Sequence, residues 1–150
     1  EFTDNYWWVD SAQPAPQYWT SLAREATHPN GLNTTFGRSP SNQWAVRRWQ
    51  SWLAGTVRVE VLVHDDNTSA NSNGQRVWLY HNGVYKSDII TPAVFADERT
   101  MQMNVVVGIG DTIDVALDPI DGHDWADSLL IKTRIYLLGD QADHFPKIEF

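Results

Sequence analysis

The chain has 150 residues, no cysteine and a formal net charge of −8 at pH 7. Its length fits a single domain over residues 1–150, and without cysteine it has no disulfide, thiolate metal site or cysteine nucleophile. An acidic surface repels a polyphosphate backbone, and no apolar run is long enough to cross a bilayer. We therefore expect neither nucleic acid nor a membrane as partner, whereas a neutral glycan or a calcium ion suits the charge.

Eight tryptophans and five tyrosines are unusual for a chain of this size. A core this small seldom needs so many, because indole N–H groups require hydrogen-bond partners when they are buried. Some of the aromatic side chains are therefore expected at the surface, where ring faces can stack on the apolar faces of sugar rings. The alternative is that most of them pack inside the fold.

Strand signals dominate the chain after an irregular first part. Residues 1–42 contain four prolines and are expected to give one or two edge strands, with a weak helix signal over 20–26. Strands at short spacing with almost no helix predict an all-β fold, an antiparallel β-sandwich of the jelly-roll type. The predicted strands are 43–50, 56–64, 76–81, 84–90, 101–107, 112–118 and 128–138.

An Asn-Gly dipeptide at 82–83 predicts a type I′ hairpin turn. A two-residue turn puts Tyr80 opposite Tyr85 and Trp78 opposite Ser87, so the three aromatic residues share one face. If the other face is the core, they form an exposed platform; if not, they are packing. The other face would carry Val77, Leu79, Val84 and Lys86.

The last predicted strand offers a second polar surface. Its β-branched face is the better core, which leaves Arg134 and Tyr136 beside Arg58 and Glu60. Such a surface can hydrogen-bond sugar hydroxyls, and the alternative is an ordinary solvated sheet face. The residues assigned to the core face are Ile131, Thr133, Ile135 and Leu137.

The loop 118–128 is rich in aspartate. Asp121, Asp124 and Asp127 lie in it together with Trp125. Carboxylates on a flexible loop suit calcium, and a tryptophan beside them can stack on a sugar. The alternative is a solvated acidic turn in which the aspartates cap their own backbone.

No catalytic motif joins the candidate acids of this chain. Glu60, Asp124 and Asp127 are the carboxylates that a glycoside-cleaving pair would use, yet no sequence pattern pairs them. The five histidines are scattered, and neither a nucleophile elbow nor a phosphate loop is present. We expect a protein that is not an enzyme.

Several segments resemble a family of bacterial secreted β-sandwich domains related to the jelly-roll carbohydrate-binding modules of polysaccharide-degrading enzymes. They are DNYWWVD (4–10), QWAVRRWQSWLAGTVRV (43–59), VWLYHNGVY (77–85), GDTIDVALDP (110–119) and DS (127–128).

The resemblance implies a secreted accessory module that holds the catalytic domain of a parent enzyme near its glycan. It also implies a structural calcium ion held by Asp127 and Asp4. The AVRRW segment is scaffold in that family, and a buried arginine there would need Asp114 or Asp118 as partner. The residues assigned to that scaffold are Trp44, Arg47, Arg48 and Trp49.

The sequence thus predicts a monomeric module that binds a β-linked plant or algal polysaccharide without cleaving it. The alternatives are a structural or adhesive β-sandwich domain and, less favoured, a small jelly-roll glycanase or lyase. The predicted carbohydrate-binding residues are Trp78, Tyr80, Tyr85, Trp125, Arg134 and Tyr136, and the predicted calcium ligands are Asp4, Asp121, Asp124 and Asp127.

Overall fold

A computed structural model describes residues 2–3, 6–8, 20–23, 25–34, 40–65, 71–92, 98–125, 127–139 and 148–149, with the backbone alone at 2–3, 6–8, 65 and 148–149. Within these ranges no helix is long and apolar enough to span a membrane. The strands are β1 (Phe2–Thr3), β2 (Tyr6–Trp8), β3 (Ser21–Ala23), β4 (Ala26–His28), β5 (Ala45–Gln50), β6 (Gly55–Asp65), β7 (Gln75–His81), β8 (Val84–Ile90), β9 (Arg99–Val107), β10 (Thr112–Pro119), β11 (Leu129–Leu137) and β12 (Ile148–Glu149).

The strands form two antiparallel sheets. The eight-stranded sheet has the order β1-β2-β3-β4-β11-β6-β9, with β12 pairing β11 as well, and the four-stranded sheet has the order β5-β10-β7-β8. From β5 to β11 the chain passes between the sheets at every connection except the β7–β8 hairpin, and β11 and β12 belong to the same sheet. The predicted all-β antiparallel sandwich is confirmed.

The core lies between the two sheets and is mostly aliphatic. Val57, Val59 and Val61 of β6 are fully buried, as are Val77 and Leu79 of β7. Each such side chain stabilises the fold by about 1.5–3 kcal/mol through removal of apolar surface from water. Ile131, Thr133 and Ile135 are buried as well, so the core face predicted for β11 is correct.

The helix predicted over 20–26 is wrong, because this segment forms β3 and β4. Strand β4 pairs with the edge of β11, and Ile131 donates its amide to the carbonyl of Glu25 at 2.8 Å. The half-buried guanidinium of Arg47 adds hydrogen bonds to the carbonyls of Ala23 and Ala26. Long-range pairing outweighs the weak helix preference of so short a segment. The described residues before 43 thus supply four short strands, more than the one or two expected.

The predicted pairing of Trp78 with Ser87 is also wrong. Asn82 and Gly83 both have positive φ, as a type I′ turn requires, and Tyr80 does pair with Tyr85. A β-bulge then shifts the register. Lys86 has no partner on β7, and Trp78 lies opposite Asp88. Beyond the bulge Ile89 packs on the core. Val84 and Lys86, which were expected on the same face as Val77 and Leu79, are exposed.

Candidate functional site

The outer surface of the four-stranded sheet carries a cluster of four aromatic side chains, Trp44, Trp78, Tyr80 and Tyr85, which we call the aromatic face. The indoles of Trp44 and Trp78 are stacked, with centroids 6.0 Å apart and planes at 11°. Tyr85 meets Trp78 edge-on at 5.6 Å, and Tyr80 lies 6.4 Å from both. The four rings therefore form one continuous cluster rather than isolated contacts.

A small residue lies beside Trp78 on the strand between β5 and β7. Strand β10 separates β5 from β7, and strands two positions apart are roughly 9.5 Å apart. Ala116 of β10 pairs with Val46 on one side and with Trp78 on the other. It is only 2% exposed although it faces outward and is not part of the core cluster. Its methyl group is therefore covered by neighbouring side chains of this surface.

The ring of Trp78 is held in one orientation. Its Nε1–H donates to Asp118 Oδ2 at 2.9 Å, and the Arg76 guanidinium lies 4.8 Å from the ring centroid. An indole fixed by a hydrogen bond, a cation–π contact and neighbouring rings has few other rotamers to visit. The cluster is therefore preorganised.

The charged groups around the rings are bonded to one another. Arg48 donates twice to Asp114, at 2.7 and 2.8 Å, and this bond raises the pKa of the Arg48 guanidinium. Asp88 accepts from the Tyr85 hydroxyl at 2.6 Å and lies 3.6 Å from Arg76. The hydrogen bond to Asp88 raises the pKa of Tyr85, so the phenol stays protonated at neutral pH.

The outermost members of the aromatic face are its most accessible rings. Trp44 is 38% exposed and Tyr85 is 51% exposed, whereas Trp78 and Tyr80 are half-buried. Trp78, Tyr80 and Tyr85 lie together as predicted. The position of Trp44 in this cluster was not predicted, because Trp44 was assigned to the scaffold. Trp49, given the same assignment, does pack in the core.

Arg134 and Tyr136 lie on the outer surface of the other sheet, away from the aromatic face. Their register partners on β6 are Glu60 and Arg58, so the predicted polar surface exists. Its centre is Glu60, which accepts from Tyr136 at 3.0 Å and from Gln102 at 3.0 Å. The predicted binding residues are thus divided between the two outer surfaces of the sandwich.

The loop between β10 and β11 holds Trp125, which is half-buried, and three of the four predicted metal ligands. Asp127 is fully buried and accepts from Ser72 at 2.9 Å and from Gln75 at 3.2 Å. Asp124 is also fully buried and accepts from the Gly31 amide at 2.8 Å. Charge-assisted bonds of this kind fix the loop against neighbouring segments.

The described carboxylates do not gather into one metal-binding group. Asp121 is exposed in a 3₁₀ turn, and Asp4 lies outside the described residues. Across the described part of the chain, no three histidine, aspartate or glutamate side chains form a group able to hold a metal ion. Calcium also accepts backbone and amide carbonyl oxygens as ligands, so a site built on Asp127 stays a prediction.

The three carboxylates considered for acid–base catalysis are not placed as a pair. Glu60 lies on an outer sheet surface, whereas Asp124 and Asp127 are fully buried in the loop after β10. Two carboxylates that cleave a glycosidic bond must both reach the substrate from either side. These three residues do not have that arrangement.

Fold and site together define an antiparallel β-sandwich with a preorganised aromatic surface on its smaller sheet. No protein-family model matches the chain, and no curated protein matches it significantly. Similar solved structures include the CBM36-1 domain of a multidomain xylanase from the hindgut metagenome of Trinervitermes trinervoides, 21% identical, with a TM-score of 0.45 over 75% of this chain and 87% of that one. They also include the PA14 sugar-binding domain from an RTX adhesin, 12% identical, with a TM-score of 0.39 over 84% of this chain and 75% of that one. Likenesses this distant carry no argument about what this chain binds.

Proposed function

We propose that this protein binds a polysaccharide on the aromatic face and does not cleave it. The observation that carries the proposal is the fixed cluster of rings on an outer sheet surface, with Trp44 and Tyr85 accessible at its two sides. Ring faces of this kind stack on the apolar C–H faces of pyranose rings, and the carboxylates beside them accept hydrogen bonds from hydroxyls.

The expected affinity is modest. Each ring contact contributes about 0.5–1.5 kcal/mol by comparison with aromatic pairs. Two contacts and a few hydrogen bonds then give a dissociation constant in the micromolar to millimolar range. Weak contacts of this kind suit a module that releases and rebinds along one polymer.

Affinity gel electrophoresis on soluble β-linked plant and algal polysaccharides tests the proposal. We expect at least one polymer to retard the wild type, and Trp44→Ala and Tyr85→Ala each to lose that retardation. The matched control is Val106→Ala, since Val106 is 72% exposed on the outer surface of the other sheet. Retardation lost in Tyr136→Phe but kept in the aromatic variants moves the site to the other sheet, and no retardation on any polymer refutes glycan binding.

A structural or adhesive role is the second candidate, and one observation favours it. Val46 and Ile90 flank the aromatic rings on the same sheet, and both are more than two-fifths exposed. Apolar residues adjoining an aromatic cluster are also what a protein partner covers. Glycan-free association of the wild type, abolished by Val46→Asp and Ile90→Asp, supports this candidate.

The proposed location, parent enzyme, type of glycan and bound ion rest on the sequence alone. Secretion, attachment to a polysaccharide-degrading enzyme, a β-linked plant or algal ligand and a structural calcium ion all come from the resemblance and the aspartates of the loop. Absence of catalysis is tested by prolonged incubation with each polysaccharide, followed by assays for reducing ends and unsaturated sugars. We expect neither product.

A further inference from the structure

The aromatic rings form a row that crosses the sheet. Trp44 precedes β5, Trp78 lies on β7 and Tyr85 on β8, and the strand order is β5-β10-β7-β8. The centroid steps along this row are 6.0 and 5.6 Å, each comparable to the length of one sugar ring. A chain that follows the rings therefore runs across the strands rather than along them.

The middle ring of the row is already engaged by the protein. Trp78 contacts Trp44, Tyr80, Tyr85 and Arg76 and donates to Asp118. The outer rings, Trp44 and Tyr85, keep more accessible surface. Trp78 is thus a positioning residue, and the contact with a ligand falls mainly to the two outer rings.

The charges beside the row do not suit an anionic ligand. Of the charged residues that register places on this surface, two are arginines and three are aspartates, and each arginine lies against an aspartate. Lys86, exposed in the bulge that follows Tyr85, has no register partner and adds one cation at the edge of the sheet. Arg48 is held by Asp114 through two short bonds. A uronate or sulfate group would have to displace an aspartate from its arginine and then lie near the remaining carboxylates.

The same carboxylates suit hydroxyl groups. A carboxylate has about four lone-pair sites. Asp118 accepts from Trp78, and Asp88 accepts from Tyr85, so each retains capacity for a hydroxyl donor at the side of the ring row. Hydroxyl recognition at Asp88 and Asp118 requires no charge on the sugar.

We infer that the aromatic face binds an uncharged glycan chain that runs across the strands from Trp44 to Tyr85, and this inference rests on the proposed function. The carboxylates of Asp88 and Asp118 accept its hydroxyls, and Trp78 sets the positions of the outer rings. The ligand class is a neutral polysaccharide, and the aspartates disfavour uronans and sulfated glycans.

Isothermal titration calorimetry tests whether the site prefers an uncharged ligand. The experiment compares one neutral polysaccharide that binds with a partly carboxymethylated form of the same polymer. We expect the charged form to bind about fivefold to tenfold more weakly at low salt, a difference that shrinks as salt screens the carboxylates. Asp88→Asn should reduce this discrimination. Equal or tighter binding of the charged form, with Trp44→Ala still abolishing binding, overturns the inference but leaves the proposed function standing.

Oligosaccharides from disaccharide to hexasaccharide test the direction of the chain. Affinity should rise until one molecule reaches both outer rings and then level off, and Trp44→Ala or Tyr85→Ala should remove that rise. A rise that persists in both variants refutes the crossing geometry.

Asp118→Ala tests the positioning role of Trp78, because it removes the acceptor but keeps both indoles. We expect a weaker tryptophan exciton couplet in the far-ultraviolet circular dichroism of the free protein, together with weaker binding. An unchanged couplet refutes the positioning role, whatever happens to affinity. If no polymer binds the wild type at all, it is the proposed function itself that fails.

Discussion

The indole of Trp44, just before β5, lies nearly parallel to that of Trp78 on β7, although β10 lies between β5 and β7. The register partner of Trp78 on β10 is Ala116, whose methyl group is covered although it faces outward. A larger side chain at this position would compete with the Trp78 indole for space.

Replacing Ala116 by leucine should separate the two indoles. The larger side chain fills the space beneath them, and we expect binding to be lost together with the exciton couplet, at a cost of about 1–3 kcal/mol in stability. Chemical denaturation, circular dichroism and affinity electrophoresis measure the three effects. The control is Val106→Leu on the other sheet, and an intact couplet in Ala116→Leu contradicts the packing argument.

Asp111 should make stability fall in acid. Hydrogen bonds from the Gly108 amide, and then from Asn82 and His81, lower the pKa of Asp111 from 3.8 to about 2. A carboxyl whose pKa is lower in the folded state stabilises the fold above its unfolded pKa, and this contribution is lost as pH falls from about 3.8 through about 2.

Melting temperatures of Asp111→Asn across that interval check the prediction. The variant should melt below the wild type at neutral pH, and the difference should shrink in acid. Asp121→Asn is the control, since Asp121 is exposed and an asparagine tolerates its positive φ. A difference that stays constant with pH means that the carboxylate charge is not what stabilises the turn.

Gly31→Ala should be strongly destabilising. A Cβ at this position would lie 2.1 Å from the carbonyl oxygen of Gly122, where the two backbone segments are joined by the Leu32 amide and by the Asp124 carboxylate. We expect a loss of about 2–4 kcal/mol, measured by urea denaturation. Gly108→Ala is the control, because its nearest neighbour would be 3.8 Å away and its φ is ordinary.

Calcium binding by Asp127 and Asp4 stays a prediction. Adding calcium after EDTA treatment should raise the melting temperature of the wild type but not of Asp127→Asn, because a carboxylate is a stronger calcium ligand than an amide. Scanning calorimetry makes the comparison, with Asp88→Asn on the aromatic face as control. Identical traces with EDTA and with calcium contradict a structural ion.

The strands from β5 to β11 were predictable because alternation and turn residues are local signals, whereas β12 was not predicted. The core face of β11 follows from the same alternation and is correct. The β3–β4 hairpin was not predictable, because it exists through pairing with β11, a partner more than a hundred residues away.

The candidate site was predictable only in part. The Asn82-Gly83 turn brings Tyr80 to Tyr85, but the bulge at Lys86 puts Asp88 beside Trp78, and no local signal marks that bulge. The role of Trp44 depends on β10 lying between β5 and β7, which is a property of the topology. Its one sequence signal was that alternation places Trp44 on the same face as Arg48.

The four-stranded sheet comes entirely from the middle of these 150 residues, while β1 and β12 both belong to the opposite layer. A tether at either terminus therefore joins the layer that does not carry the rings. Coupling to a bead or a sensor surface through either end therefore attaches the sheet opposite the aromatic face.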